Sequence, residues 1–183
     1  MNTQALWYLS RGTGIVALLL LTGAVVLGML NSGRLISPRW PRFTISAIHR
    51  NVSLLALVFL VIHIASSIID PYAGIRWVDA VLPFGSSYRP FWLGLGALAG
   101  DLMLAVLVTS LLRARIGYRV WRAVHWLGYA MWPIALVHGI GTGITDDHVL
   151  WVLVCDIVCG LAVLAALWWR LGATHADTEA RAR

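Results

Sequence analysis

Four histidines lie inside two of the most apolar stretches of this 183-residue chain. They are His49 and His63 in residues 47–69, and His125 and His138 in residues 122–143. An ionisable side chain inside a membrane-spanning segment is costly and marks a functional site by default. Any fold of this chain must therefore give these four imidazoles polar partners, whether neighbouring groups or a bound molecule.

The apolar stretches predict an integral membrane protein. The chain is 60% hydrophobic and 12% charged, with a mean hydropathy of +0.80, and apolar segments of about 17–25 residues can cross a bilayer as helices. We predict an all-α bundle of five transmembrane helices at residues 13–30, 47–69, 91–112, 123–143 and 149–169. Residues 1–170 would form one membrane domain, and the polar tail of residues 171–183 is predicted to be cytoplasmic and disordered. Residues 75–84 are too short to span and are predicted to lie at the interface.

The arginines are concentrated in particular loops between the predicted helices. Every basic residue other than histidine is an arginine, and the net charge is +6. Arginines concentrate between the first and second predicted helices and between the third and fourth. The positive-inside rule places these loops in the cytoplasm, the N-terminus outside and the C-terminus inside. We therefore expect a multi-pass protein of the bacterial inner or plasma membrane. Its expected partner is the lipid bilayer, and we expect no nucleic acid to bind.

The histidine spacing favours paired sites. His49 and His63 are 14 residues apart, which returns to within roughly 40° of the same helix face, about 21 Å further along the axis. His125 and His138 are 13 apart, roughly 140° out of register, and Pro133 between them is predicted to retune the helix. In the predicted topology the two helices run parallel, so His49 lies level with His125 and His63 with His138.

Two stacked bis-histidine sites suit low-spin haem in electron transfer, because both axial positions of the iron are filled. Zinc prefers a shell of four closely spaced ligands and fits less well. The alternative is a non-redox polytopic membrane protein in which the histidines serve helix packing, transport or proton conduction.

The pattern His49-x13-His63 on one span and His125-x12-His138 on the next but one resembles the ferric reductase-like transmembrane domain superfamily. That group includes ferric reductases, NADPH oxidases and the haem-binding membrane subunit of the bacterial periplasmic methionine sulfoxide reductase system. The resemblance covers residues 13–169 and implies two non-covalent b-type haems. His49 and His125 would bind the iron of the inner haem, and His63 and His138 the iron of the outer haem.

The same resemblance implies a membrane subunit of an oxidoreductase that works with separate partners. No flavin or nicotinamide domain follows the fifth predicted helix, and Gly94-x-Gly96 with Gly100 is not a dinucleotide-binding fingerprint. A cytoplasmic flavin reductase or quinol is the expected electron donor. A ferric chelate or an extracytoplasmic redox partner is the expected acceptor. Gly96 and Gly100 are instead predicted to allow close helix packing.

Several polar residues accompany the histidines. Arg50 and Arg122 lie near the predicted inner site and could bind haem propionates, or could act only as topogenic charges. Arg76 and Arg89 are the outer counterparts. Met131 and Trp132 are predicted to fill the space between the two sites, chiefly as packing residues. The sequence leaves open the roles of five further residues: Asp101, Asp156, Cys155, Cys159 and His148.

Overall fold

The computed structural model describes residues 3–32, 42–143 and 150–172, and every regular element in these ranges is helical. In chain order these are α1 (Thr3–Ser32), α2 (Arg42–Ile69), a short 3-10 helix (Trp77–Ala80), α3 (Pro90–Leu111), α4 (Arg113–Ile116), α5 (Tyr118–His125), α6 (Leu127–Gly143) and α7 (Leu150–Gly172). The predicted all-α class is confirmed for the described residues. His148 and residues 173–183, to which the sequence assigned a loop and a tail, lie outside them.

Four of the described helices, α1, α2, α3 and α7, are long and apolar enough to cross a bilayer. The chain is therefore a multi-pass membrane protein. The first helix starts ten residues before the predicted boundary at residue 13. This extra length carries Trp7 and Arg11, and the Arg11 guanidinium lies 4.4 Å from the centroid of the Trp7 ring, one turn away on the same face.

The fourth predicted span, residues 123–143, is not one helix. It is divided at Trp126 into the end of α5 and the 17-residue α6, whereas the sequence pointed to Pro133 as the place where the helix is retuned. Helix α6 continues through Pro133. Pro133 has no N–H to donate to the Tyr129 carbonyl. Upstream of it the turn at Trp126 is tightened, with the Tyr129 N–H donating to the Trp126 carbonyl at 3.0 Å.

The tightened turn helps to align the second histidine pair. A 3-10 turn advances about 120° per residue, against about 100° in an α-helix. Each residue of the turn at Trp126 therefore recovers roughly 20° of the mismatch between His125 and His138. The break accounts for part of the alignment that the 13-residue spacing could not supply.

Helix α1 occupies the centre of the bundle. It packs along α2 and also contacts α6 and α7, whereas α3 packs against α6, α5 and the 3-10 helix. A buried cluster lies where α1, α6 and α7 meet, formed by Met29, Trp132, Cys159, Val163 and Ala166. Since α2 packs mainly on α1 and α6 mainly on α3, the two histidine-bearing helices face each other across a gap.

A buried hydrogen bond ties this cluster together at mid-helix. The indole N–H of Trp132 donates to the Thr22 hydroxyl at 2.9 Å, and that hydroxyl donates to the Leu18 carbonyl at 2.8 Å. Trp132 is therefore a packing residue, as the sequence suggested, and its polar atom is satisfied by α1.

We expect Thr22→Val to destabilise the folded protein by about 0.6 to 1.7 kcal/mol, because the indole N–H loses its acceptor while the side-chain volume is kept. Thermal unfolding in detergent, followed by tryptophan fluorescence, measures the change. Thr22→Ser keeps the hydroxyl and serves as the control. A valine variant as stable as the serine variant would show that this hydrogen bond contributes nothing.

Candidate functional site

The structure brings the four histidines together as two facing pairs. His49 on α2 lies opposite His125 at the end of α5, with ring centroids 6.1 Å apart and ring planes at 70°. His63 lies opposite His138 on α6, at 6.3 Å and 74°. We call these the inner pair and the outer pair, keeping the names of the predicted topology. Each pair joins two different helices, in the combination that the parallel-helix argument predicts.

The distance between the two rings of a pair distinguishes a direct hydrogen bond between them from the binding of one metal ion by both. Two imidazoles hydrogen-bonded directly would hold their nitrogens about 3 Å apart. A centroid lies about 1.1 Å behind its nitrogen, and a metal–imidazole bond is about 2 Å long, so two rings on opposite sides of one metal ion have centroids about 6.2 Å apart. Both observed distances match the second arrangement.

Three of the four histidines are held by backbone carbonyls of a neighbouring helix. The Nδ1–H groups donate as follows: His49 to Ala24 at 2.9 Å, His63 to Ser10 at 2.7 Å and His138 to Trp92 at 2.7 Å. A carbonyl oxygen can only accept, so Nδ1 must carry the hydrogen and Nε2 is left with a lone pair. Metal-binding histidines typically have this tautomer, with the nitrogen that does not bind the metal donating a hydrogen bond to a neighbouring group.

Each of these three carbonyls lies one helical turn before a glycine. The pairs are Ser10 with Gly14, Ala24 with Gly28, and Trp92 with Gly96. A Cβ added at Gly96 would lie 2.6 Å from His138 Cε1, one at Gly14 would lie 2.9 Å from His63 Nδ1, and one at Gly28 would lie 3.6 Å from His49 Cε1. We call these three sites glycine notches, because each places a glycine beside the imidazole. A side chain would collide with the ring at Gly96 and Gly14, whereas at Gly28 it would make an ordinary contact.

The sequence analysis missed the notches on α1, although a signal was present. Gly14 and Gly28 are 14 residues apart, the same interval as His49 and His63 on the antiparallel neighbour α2. Gly96 was predicted to allow close helix packing, and the structure shows that its neighbour is the His138 ring. A Cβ at Gly100 would meet no atom within 4 Å.

His125 is held differently. Its Nδ1 is buried and has no hydrogen-bond partner among residues 3–32, 42–143 and 150–172. The ring instead lies against Trp121, with centroids 5.0 Å apart and planes at 27°. Trp121 sits one turn before His125 on α5, and the sequence analysis did not assign it to the site.

A cavity of about 740 Å³ surrounds the outer pair and extends toward the middle of the bundle. That volume lies within the roughly 300–1,000 Å³ of sites that enclose a cofactor-sized molecule. His63 and His138 both line it, together with small or flexible apolar residues such as Ala56, Ala97, Gly100 and Met131. On α2, Ala56 therefore leaves room beside the helix two turns before His63.

The donor set fits a haem better than a metal ion bound by side chains alone. Among the described residues, no three His, Cys, Asp or Glu side chains cluster closely enough to hold a metal. Two imidazoles supply only two ligands, whereas tetrahedral metals need about four. A porphyrin provides four nitrogens itself and needs only the two axial donors that each pair presents.

The arginines near the inner pair lie toward aromatic rings or solvent. Arg50, next to His49, is exposed. The Arg122 guanidinium lies 6.0 Å from the centroid of the Tyr118 ring. Arg113, which the sequence analysis treated as topogenic charge alone, lies 4.3 Å from the centroid of the Trp121 ring and so belongs to the surroundings of His125.

The arginines near the outer pair differ from those expected. Arg76 is committed to Asp79 by a 2.8 Å ion pair, which holds the pKa of that carboxyl below its usual range. Arg89 donates to the Thr142 carbonyl at the end of α6, at 3.1 Å, and Arg11 donates to the same oxygen at 3.4 Å. Arg11 also lines the cavity, a position that its place before the first apolar stretch did not reveal.

The remaining aspartates and cysteines differ in how deeply their side chains are buried. Asp156 is buried on α7 and lines the cavity, whereas Asp101 on α3 is half-buried. Cys159 is buried in the packing cluster, and Cys155 is half-buried one turn before it.

Comparison with known proteins gave one result. Residues 13–137, more than half of the chain, match the model of a family described as ferric reductase like transmembrane component. The matched segment runs from α1 into α6 and contains His49, His63 and His125, and it stops one residue before His138. The comparisons with curated proteins and with solved structures gave no match.

Proposed function

Because the chain belongs to the family of ferric reductase-like transmembrane components, we propose that it is a di-haem b-type cytochrome that carries electrons across the membrane. The observation that carries this proposal is the geometry of the two histidine pairs. Their ring centroids lie 6.1 and 6.3 Å apart, the separation of two imidazoles on one metal ion. Three of the four rings also hold the tautomer that leaves Nε2 free to bind iron.

In this proposal His49 and His125 bind the iron of the inner haem, and His63 and His138 that of the outer haem. A b haem with two histidine ligands supplies reversible one-electron redox chemistry and leaves no open position for a small ligand. The glycine notches fix three of the imidazole rings before any cofactor enters. The pairs are separated by about 21 Å along α2.

The proposed topology completes the path across the bilayer. Helix α6, with 17 residues, is near the lower limit for a span, and with α5 it would form the fifth crossing. The arginine-rich loops would face the cytoplasm, so that both termini lie where the positive-inside rule places them. Arg50 and Arg122 would bind the propionates of the inner haem, since both lie within one turn of its ligands.

The chain would then act as the membrane subunit of an oxidoreductase in a cell membrane. A cytoplasmic flavin reductase or a quinol would supply electrons at the inner site. A ferric chelate or an extracytoplasmic redox partner would accept them at the outer site. With both axial positions filled, the histidines restrict the acceptor to reaction at the porphyrin edge.

Two measurements on the full chain test this function. Purified protein is expected to contain two b haems by pyridine haemochromogen assay and to show a b-type reduced-minus-oxidised spectrum. Proteoliposomes with trapped ferricyanide are expected to lose its colour when a reduced flavin is added outside. Protein carrying His63→Ala and His138→Ala serves as the control and should leave the trapped ferricyanide oxidised.

A haem-free chain, expressed with ample haem, would contradict the proposal. The histidines would then serve the non-redox alternative of helix packing, transport or proton conduction. Haem-loaded protein that never reduces the trapped acceptor would contradict the transmembrane path while leaving the haem sites in place.

A further inference from the structure

The two ends of α3 differ in how they contact the nearest histidine. Near its start the Trp92 carbonyl accepts from His138 beside Gly96. Fourteen residues later the corresponding positions are Val106 and Ser110. Ser110 has a side chain where Gly96 has none, and its hydroxyl donates to the Val106 carbonyl at 2.6 Å. The position that would form a fourth glycine notch is thus occupied by a serine.

The serine also holds Trp121. The indole N–H of Trp121 donates to the Ser110 hydroxyl at 3.2 Å. The Arg113 guanidinium lies 4.3 Å from the centroid of the Trp121 ring. The indole is therefore fixed by a hydrogen bond at its edge and by a cation–π contact at its face.

Trp121 in turn contacts His125 in a near-parallel stack. His125 is the histidine whose buried Nδ1 has no partner in the described part of the chain. A contact of this kind fixes the plane of an imidazole without giving its Nδ1–H an acceptor. Contacts from Ser110 to Trp121 and from Trp121 to His125 thus hold the His125 ring, whereas a backbone carbonyl beside a glycine holds each of the other three rings.

We propose that Trp121 is a positioning residue for His125 and that the two haem sites are electronically unequal as a result. This inference rests on the proposed haem function. A hydrogen bond from Nδ1–H to an acceptor raises the basicity of a ligating imidazole and favours the oxidised metal. His125 lacks that acceptor, whereas both histidines of the outer pair have one. The inner haem therefore has the higher midpoint potential.

The first experiment isolates the inner site by placing His63→Ala and His138→Ala in the full chain. Trp121→Leu in this background is expected to shift the low-spin ferric EPR signal, because the signal depends on the angle between the imidazole planes, which is 70° at the inner pair. The inner midpoint potential is expected to shift with it. Trp121→Phe keeps an aromatic face and is expected to restore both readouts toward those of the parent.

Trp126→Leu is the matched control. Trp126 is adjacent to His125 in sequence, but its ring packs against Tyr129 and the Arg170 guanidinium, so its loss should leave the inner EPR signal unchanged. Ser110→Ala removes the tether and keeps the indole, and is expected to shift the EPR signal in the same direction as Trp121→Leu. It provides a second test if the leucine variant does not fold.

Three outcomes would overturn the inference. If Trp121→Leu leaves the inner EPR signal unchanged, Trp121 is a packing residue only. If the leucine variant cannot be purified, an unchanged signal in Ser110→Ala has the same meaning. A shift that Trp126→Leu reproduces would make it a general effect of losing an aromatic ring. An inner potential below the outer one, in paired potentiometric titrations of the two single-site proteins, would contradict the inequality. Failure of the underlying function is distinguishable, because the parent chain would then contain no haem.

Discussion

Replacing His49 and His125 together by alanine is expected to remove one haem, whereas replacing His49 and His63 together is expected to remove both. The reason is the pairing across helices, with centroids 6.1 Å apart in the inner pair and 6.3 Å in the outer pair. Each single substitution should also remove one haem, because a b haem with one axial ligand is weakly held. Pyridine haemochromogen assays normalised to protein mass measure the stoichiometry.

This comparison is informative because the two double variants carry the same number of lost imidazoles. Only the assignment of histidines to sites differs between them. Loss of both haems from the His49→Ala, His125→Ala protein would mean that the pairing is wrong. Retention of two haems in every variant would mean that the histidines do not bind the iron. Gel filtration in detergent checks that each protein remains folded.

Gly96→Ala is expected to lower the haem content from two per chain to about one, although it leaves all four histidines in place. The new Cβ would lie 2.6 Å from His138 Cε1 and 2.8 Å from its Nδ1, closer than real Cβ contacts come. The ring cannot move away without losing its hydrogen bond to the Trp92 carbonyl. Gly14→Ala should act in the same direction on His63, from a distance of 2.9 Å.

Gly23→Ala is the matched control for these variants. It lies on α1 between the two notches, and its Cβ would make an ordinary contact with Val52 at 3.8 Å. Alanine also has the higher helix propensity, by about 1 kcal/mol, so this control should bind two haems and unfold at a slightly higher temperature. Equal haem content in Gly96→Ala and Gly23→Ala would show that the glycine notch does not position His138.

Much of the architecture could be predicted from residue periodicity. Long apolar segments have few alternatives to the helix in a bilayer, so helices over residues 47–69 and 91–112 were foreseeable, although α2 begins earlier, at Arg42. The family assignment was foreseeable too, since the four histidines carry it and residues 13–137 match the family. The facing of His49 with His125 follows from two parallel helices.

The remaining features depend on contacts that residue type does not encode. The break at Trp126 lies seven residues before Pro133 and is marked by the bond from the Tyr129 N–H to the Trp126 carbonyl, a position that spacing alone cannot locate. The hydrogen bond that joins Trp121 on α5 to Ser110 on α3 depends on how the chain turns at Gly117, whose φ is +79°. The ligand-holding carbonyls belong to the backbone, and every residue has one.

Helix α1 contributes no histidine, yet both imidazoles of α2 donate to its main chain, at Ser10 and at Ala24. The interval between those two carbonyls equals the interval between the two rings, so α1 sets the distance between the two imidazoles along α2. Substitution of a side chain cannot delete a carbonyl. The spacing is therefore sensitive to substitution at Gly14, where an added Cβ would lie 2.9 Å from His63 Nδ1, whereas a Cβ at Gly28 would make an ordinary 3.6 Å contact with His49.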